Sequence, residues 1–308
     1  MIEEKVIVGE NSQYPLNGML TLPDKLDTPV PAVVFVHGSG TSNMDEKVYK
    51  IAPFKDLAEG FASYGIASIR YDKRAYKHAM KMMKEKDGIT VKNEVIEDAI
   101  KAADMLRNDD RIDHDCIFIV GHSMGGMLAP RIDEEGGNFK GLIILAGTPR
   151  KLEEVMKEQL TQTLDAMNPV LKFLASGSIK KMMNQFDGLY ELSDEKAKKT
   201  KFGNGVTLYY FKEMGSFDTK TYFDTVNKPI LIMQGDKDFQ VSVEKDFHTY
   251  KEMLKDYENV TFKLYEGLNH CFMPSIYGTL SKAKQEYSVA QHVNKDVIKD
   301  IAEFILKA

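Results

Sequence analysis

The stretch DCIFIVGHSMGGMLAPRI, Asp115 to Ile132, decides the fold. Its first half is a run of apolar, strand-forming residues, and its second half is typical of a helix. Between the halves stand Gly121, Ser123 and Gly125, in the pattern G-x-S-x-G. A strand that meets a helix with almost no loop forces one residue into a strained conformation, and its neighbours two positions away must be small. The stretch therefore predicts a sharp turn that presents Ser123 above the carboxyl end of a strand.

Short apolar runs on both sides of this stretch predict further strands of the same sheet. The runs PAVVFV, GIASIRY, GLIILAG and PILIMQG are bounded by glycine, proline or charge, as strands buried on both faces are. Between two of them, apolar residues recur every three or four positions, as on one face of a helix: Val95, Ile96, Ala99, Ile100, Ala103 and Leu106. This alternation predicts an α/β fold with a mostly parallel sheet flanked by helices. Before it, KVIVGE and LNGMLTLP predict an N-terminal β-hairpin.

The alternation stops between about Arg150 and Val226. Apolar residues of helical spacing continue there without a buried-strand run: Leu152, Val155, Met156, Leu160, Leu164 and Met167, then Ile179, Met182, Met183 and Phe186. We predict that residues 1–149 and 226–308 form the core and that residues 150–225 form an inserted helical cap. The methionines of this segment either line a pliable pocket wall or fill the interior of the cap.

Composition and charge exclude several classes of function. The 308 residues are 43% hydrophobic and carry a net charge of −5, which offers no field to attract nucleic acid or an anionic membrane. The N-terminus does not resemble a signal peptide, and no apolar run reaches the roughly 18 residues of a membrane span. Two cysteines are too few for a disulfide framework, so we expect a cytoplasmic protein. A leader removed before Met1 would leave a periplasmic origin open.

A serine hydroxyl becomes a strong nucleophile only when a histidine, held by a carboxylate, takes its proton. After a G-x-S-x-G turn the acid is expected next along the chain and the histidine last. PILIMQGDKDFQV supplies Asp236 and Asp238 directly after a predicted strand, and YEGLNHCF supplies His270 after the following strand. The pattern thus predicts a catalytic triad and leaves two aspartates as candidates for its acid. The amide of Met124, at a helix N-terminus, would face developing negative charge.

With these motifs the chain resembles the α/β-hydrolase superfamily, and within it the bacterial carboxylesterases related to cinnamoyl esterases, dienelactone hydrolases and serine aminopeptidase-like hydrolases. VFVHGSG, PFKDLAEGFASYGIASIRYDKR, GHSMGGMLAPRI, QGDKDFQV and GLNHCF follow the order and spacing of that family. The resemblance implies that Asp238 is the triad acid. It also implies an oxyanion hole formed by the backbone amides of Ser39 and Met124, with Gly38 or Gly40 as alternatives to Ser39. His37 and His122 are expected to brace the loops of the site.

The predicted activity is that of a serine carboxylesterase that hydrolyses short-chain acyl or aryl esters through an acyl-enzyme intermediate. A peptidase, amidase or acyltransferase could use the same triad, since the triad does not choose the leaving group. A binding protein without turnover is disfavoured by the intact triad pattern. The predicted partner is a small-molecule ester, no cofactor or metal site is predicted, and a homo-oligomer remains open. RYDKR, Arg70 to Arg74, fits either an anion-binding loop or an ion-pair network, and the second interpretation is favoured.

Overall fold

Ten strands, twelve α-helices and five short 3₁₀ or π helices build the described part of the chain. The computed structural model describes residues 1–85, 88–203 and 205–308, so position 204 of the predicted cap and positions 86 and 87 of the predicted core lie outside the described residues. The strands are β1 (Ile2–Val8), β2 (Leu16–Leu22), β3 (Val30–Val36), β4 (Ala67–Tyr71), β5 (Ile112–His122), β6 (Gly141–Leu145), β7 (Lys201–Gly203), β8 (Val206–Thr207), β9 (Ile230–Gly235) and β10 (Val260–Tyr265). The helices are α1 (Pro53–Ser63), α2 (Arg74–Met82), α3 (Glu97–Arg107), α4 (Met124–Ile132), α5 (Leu152–Asp165), α6 (Pro169–Asn184), α7 (Asp194–Lys199), α8 (Leu208–Gly215), α9 (Thr219–Thr225), α10 (His248–Met253), α11 (Ala283–Tyr287) and α12 (Lys295–Lys307).

The main sheet has eight strands in the order β1-β2-β4-β3-β5-β6-β9-β10. β1 pairs with β2, and β2 with β4, in antiparallel register. The other neighbours are parallel. The prediction of a mostly parallel sheet with an N-terminal antiparallel hairpin is therefore confirmed.

Burial of both faces of β3 explains its unbroken apolar sequence. Val34 and Val36 face one core, which α3 and α4 cover, whereas Val33 and Phe35 face a second core under α1 and α12. Successive side chains of a strand point to opposite faces, so a strand between two helical layers needs apolar residues at every position.

The parallel strands end at one edge of the sheet, which is the edge that carries the predicted site. Val36 at the end of β3 pairs with Gly121 near the end of β5, and Gly235 at the end of β9 pairs with Tyr265 at the end of β10. The loops that follow these four strands therefore leave the sheet side by side. In open α/β sheets this edge is where ligands bind.

Residues 150–225 leave the sheet after β6 and return to it at β9. They contain helices α5 to α9 and also the short antiparallel pair β7 and β8, which the prediction of a helical insertion did not include. α6 is the most exposed of these helices, with Val170, Phe173 and Leu174 at 70%, 82% and 69% exposure. Throughout the described residues, the helices are too short or too polar to cross a bilayer.

Candidate active site

Ser123 stands at the turn where β5 passes directly into α4. Its backbone has φ 53° and ψ −117°, a strained combination for a residue with a side chain. A Cβ atom on Gly121 would lie 2.2 Å from the carbonyl oxygen of Gly125, and one on Gly125 would lie 2.1 Å from that of Val36. Both distances are far inside van der Waals contact. The G-x-S-x-G pattern thus has a steric cause.

Gly125→Ala should lower the free energy of unfolding by more than about 3 kcal/mol, because the new methyl group meets backbone that cannot move aside. Gly177→Ala is the matched control, since a Cβ atom there meets nothing within 4 Å in the middle of α6. Alanine is the better helix former, so this control should gain about 0.5–1 kcal/mol. Urea unfolding of both variants measures the difference. Equal midpoints would contradict the steric argument.

Asp238 and His270 come from the loops after β9 and β10 and meet beside this turn. His270 Nδ1 lies 2.7 Å from Asp238 Oδ2, and the carboxylate is fully buried. The same carboxylate accepts hydrogen bonds from Gln234 Nε2 at 2.8 Å and from the amides of Gln240 and Val241 at 2.8 and 3.0 Å. These donors orient Asp238 toward the imidazole, as a histidine that acts as a base requires.

The other candidate acid, Asp236, bonds to the histidine loop but not to the histidine. Its Oδ1 accepts a hydrogen bond from the amide of Gly267 at 2.6 Å, and its own amide donates to the carbonyl of Tyr265 at 2.8 Å. Asp236 therefore fixes the turn that leads to His270. The geometry separates the two aspartates that the local sequence pattern left open.

His122 joins the histidine loop to the serine turn. Its Nε2 lies 3.0 Å from the carbonyl oxygen of His270, and the two ring centroids are 4.7 Å apart. Within the described residues, no hydrogen bond joins the Ser123 hydroxyl to His270. Such bonds between nucleophile and base are often long before a substrate binds. The structure thus brings the two side chains to one edge of the sheet and holds the histidine through its acid and its backbone.

The loop after β3 lies against the serine, because a Cβ atom on Gly38 would stand 3.2 Å from Cβ of Ser123. The Gly38 amide donates to Glu46 Oε1 at 2.8 Å, so it is not available to a ligand. Among the described residues, the amides of Ser39 and Met124 have no hydrogen-bond acceptor. The Met124 amide also opens α4, where the helix dipole is positive. These two amides are free to bind a negatively charged oxygen.

Two buried charges lie beside the site: Glu46, which the sequence analysis did not single out, and Lys73, which it named only as part of the RYDKR segment. Glu46 Oε2 lies 2.9 Å from Nδ1 of His122, and Lys73 Nζ donates to the carbonyl of Gly38 at 2.9 Å. Burial alone disfavours a charged imidazole, but the Glu46 carboxylate holds the pKa of His122 above its ordinary value. Neither charge belongs to a periodic pattern: Glu46 follows the HGSG motif by six residues, whereas Lys73 lies more than thirty residues away, so no signal in the sequence links Lys73 to that motif.

His37 and Cys271 are packing groups beside the site. His37 Nε2 donates to the carbonyl of Asn43 at 3.0 Å, and burial lowers the pKa of His37 to about 4, so the ring is neutral at pH 7. Burial raises the pKa of the Cys271 thiol far above its ordinary value, which disfavours a thiolate nucleophile. In the described ranges, no three His, Cys, Asp or Glu side chains form a group that could hold a metal ion.

The arginines of RYDKR lie in ion pairs, as the favoured interpretation of that segment had it. Arg70 contacts Glu3 at 2.7 Å and Asp45 at 2.9 Å, and Arg74 donates to Asp98 through Nε at 2.8 Å. These pairs tie the loop after β4 to its neighbours. Both guanidinium groups are buried and engaged, so they do not form an open anion site.

A comparison with protein families agrees with this architecture. The model of the family described as serine aminopeptidase, S33 matches residues 27–274. The chain belongs to this family. The matched range begins before β3 and ends after His270, so it contains every candidate site residue. The resemblance to the α/β-hydrolase superfamily is confirmed.

Known proteins similar to this S33-family chain include an esterase. Esterase EstD of Thermotoga maritima is 34% identical over 293 residues, which cover 95% of this chain and 66% of EstD, just under two thirds of its length. Among solved structures, Est1E from Butyrivibrio proteoclasticus is 17% identical with a TM-score of 0.57 and covers 98% of both chains. A proline iminopeptidase of Mycobacterium smegmatis is 12% identical with a TM-score of 0.60, covering 99% of this chain and 98% of its own. At these identities the two structures share the fold alone.

Proposed function

We propose that the protein is a serine carboxylesterase that hydrolyses short-chain acyl or aryl esters. The observation that carries the proposal is the 2.7 Å hydrogen bond between Asp238 and His270, beside the strained turn that presents Ser123. The identity with Esterase EstD supports an ester as substrate. Est1E, which shares the fold, has been solved with ferulic acid bound, and aryl esters are therefore included in the proposed class for testing.

In the first half of the proposed reaction, Ser123 Oγ forms a bond to the ester carbonyl carbon while His270 Nε2 takes the hydroxyl proton. The carbonyl oxygen becomes an oxyanion, which the amides of Ser39 and Met124 stabilise. Asp238 holds the imidazole and stabilises its positive charge. The bond between the carbonyl carbon and the alcohol oxygen then breaks, and the alcohol leaves with the proton from His270. An acyl group remains on Ser123.

In the second half a water molecule takes the place of the alcohol. His270 removes a proton from the water as its oxygen bonds to the acyl carbon, and the same two amides stabilise the second oxyanion. The bond to Ser123 Oγ breaks, and the serine recovers a proton from His270. The acid product leaves and the enzyme returns to its starting form. No cofactor or metal takes part in the proposed sequence.

The family description supports a second candidate, an amide-cleaving or acyl-transferring enzyme with the same residues. The S33 family is described as serine aminopeptidase, and a proline iminopeptidase shares the fold. The triad chemistry is common to both candidates, so the leaving group must be tested directly.

Residues 150–225 are proposed to form a cap over this site. A contact supports the proposal: the hydroxyl of Tyr210 on α8 lies 3.4 Å from Sδ of Met124. The methionines of the segment differ in surroundings, since Met214 is buried against the main core and Met182 on α6 is 36% exposed. Met214 therefore fits packing between α8 and the core better than a pliable pocket wall.

We further propose a cytoplasmic location and a small-molecule ester as the partner. The two cysteines, Cys116 and Cys271, are both free thiols, which suits a reducing compartment. A small ester would need no surface beyond the edge of the sheet where the four loops meet.

A substrate panel tests the proposed activity. We expect 4-nitrophenyl esters of two to six acyl carbons and methyl esters of aromatic acids to be hydrolysed at a kcat/KM at least about 10²-fold above that for aminoacyl 4-nitroanilides. Added alcohol acceptors measure acyl transfer in the same assay. A preference for the anilides would favour the peptidase candidate. If neither the esters nor the anilides were hydrolysed and a fluorophosphonate did not label the protein, the proposed activity would be wrong.

A further inference from the structure

Two buried charges hold a single glycine of the loop after β3. The Gly38 amide donates to Glu46 Oε1 at 2.8 Å, and the Gly38 carbonyl accepts from Lys73 Nζ at 2.9 Å. Gly38, Glu46 and Lys73 are all buried, with Glu46 at 6% and Lys73 at 2% exposure. Removing an ammonium and a carboxylate from water costs free energy unless both groups find partners. Here both form hydrogen bonds with backbone atoms of the same residue.

The carbonyl that Lys73 binds belongs to the same peptide group as the amide of Ser39. A peptide group is planar and trans, so its C=O and N–H point in opposite directions. When Lys73 holds the carbonyl oxygen of Gly38 on the buried side, the Ser39 N–H must point to the other side. A hydrogen bond to the carbonyl also polarises the N–H of the same group and makes it a stronger donor.

From this geometry we propose that Lys73 is a positioning residue of the oxyanion hole. Its ammonium fixes the Gly38–Ser39 peptide group so that the Ser39 amide points at the oxyanion. Glu46 fixes the peptide group before it, by accepting a hydrogen bond from the Gly38 amide. The proposal rests on the proposed esterase function, because it assigns a task in that reaction. Lys73 acts through the peptide group and does not touch the substrate.

The surroundings of Lys73 argue against a purely structural ion pair. Among the described residues, the nearest carboxylate oxygen is Glu94 Oε1, which lies 3.7 Å from Nζ, farther than the Gly38 carbonyl at 2.9 Å. By contrast, the neighbouring Arg74 donates directly to the carboxylate of Asp98. The shortest contact of Lys73 is thus with the oxyanion loop.

Tyr210 connects this arrangement to the proposed cap. Its hydroxyl donates to Glu94 Oε2 at 3.0 Å and lies 3.4 Å from Sδ of Met124. Glu94 is itself buried, so the tyrosine and Lys73 together compensate its charge. α8 is therefore connected to both proposed oxyanion donors. It contacts the Met124 side chain directly, and it is linked to the Ser39 amide indirectly, through Glu94 and Lys73.

Lys73→Met tests the proposal, because methionine has a similar length and no charge. The kcat for 4-nitrophenyl acetate should fall about 10²-fold, as it does when one oxyanion donor is lost, with KM within about threefold of wild type. The inhibition constant of benzeneboronic acid, which forms a tetrahedral adduct on the serine, should rise in the same proportion. Lys73→Arg should recover part of the kcat, since a cation again reaches the carbonyl. Lys77→Met is the matched control on the exposed side of the same segment and should match wild type.

The double variant Lys73→Met/Glu94→Gln covers the case in which Lys73→Met leaves Glu94 as an uncompensated buried charge and fails to fold. A folded single or double variant with a kcat within twofold of wild type and an unchanged boronate affinity would overturn the proposal. Failure of both to fold would assign Lys73 to stability and would overturn it as well. If wild type itself showed no ester turnover and no fluorophosphonate labelling, the proposed function would fail instead, so the two failures are distinguishable.

Discussion

Ser123→Ala is expected to lower kcat for 4-nitrophenyl acetate by about 10³-fold to 10⁶-fold. Without Oγ no acyl-enzyme forms, and only binding and the oxyanion amides remain to accelerate attack by water. Folding should survive for two reasons. Alanine keeps the Cβ atom that already tolerates φ 53°, and among the described residues the hydroxyl makes no hydrogen bond that would be lost.

Three measurements on purified variants check this result. Steady-state kinetics give kcat, a fluorophosphonate probe reports the reactive serine, and urea unfolding reports the free energy of unfolding. Ser178→Ala, exposed on α6, is the matched control and should behave as wild type in all three. Near wild-type turnover and labelling by folded Ser123→Ala would show that another residue is the nucleophile.

The serine turn could be predicted from the sequence because its cause is local. Gly121 and Gly125 are required by contacts within the turn and with the end of β3, and the apolar run before Ser123 and the helical pattern after it span fewer than about twenty residues. The positions of Asp238 and His270 followed from topology. Parallel strands end at the same edge of a sheet, so loops far apart in the chain meet there.

Glu46 and Lys73 could not be predicted in the same way. Glu46 contacts Gly38 from farther along the same loop and Lys73 contacts it from the loop after β4, at sequence separations of 8 and 35 residues, and no helix or strand period relates these positions. A glutamate and a lysine in polar loops are typical of solvated surface, and only the tertiary structure shows that both are buried. The β7 and β8 pair escaped prediction for a related reason, since strands of three and two residues are too short for an alternating pattern.

The acid of the triad could be predicted from the sequence only in part, because the sequence located its loop but left two aspartates as candidates. Asp236 and Asp238 are two residues apart in one loop after β9, and either could face the neighbouring strand's loop on the evidence of position alone. The family resemblance pointed to Asp238, and the structure pairs Asp238 with His270. A loop has no period, so the direction of its side chains depends on the bonds that the loop makes with its surroundings.

Asp238→Asn is expected to lower kcat by about 10⁴-fold with little change in KM. The carboxylate accepts the Nδ1 proton of His270, which leaves Nε2 free to take a proton from Ser123. An asparagine whose amide nitrogen faces Nδ1 would donate to it instead and favour the tautomer with the proton on Nε2. That imidazole cannot act as the base. Gln240 and Val241 can still donate to the remaining carbonyl oxygen, which keeps the loop in place, whereas Gln234 Nε2 loses its acceptor at Oδ2, so the fold should persist with a reduced free energy of unfolding.

Asp236→Asn is the matched control two residues away, with the same change of charge and shape. The introduced asparagine would offer its carbonyl oxygen to the amide of Gly267, which Asp236 Oδ1 now binds at 2.6 Å, so kcat should stay within about tenfold of wild type. Both variants are compared by kcat and by urea unfolding, because a loss of activity assigns a role only in a folded protein. The opposite ranking of the two folded variants would transfer the role of the acid to Asp236. It would also mean that the loop after β9 rearranges before catalysis, since Asp238 is the residue that now holds His270.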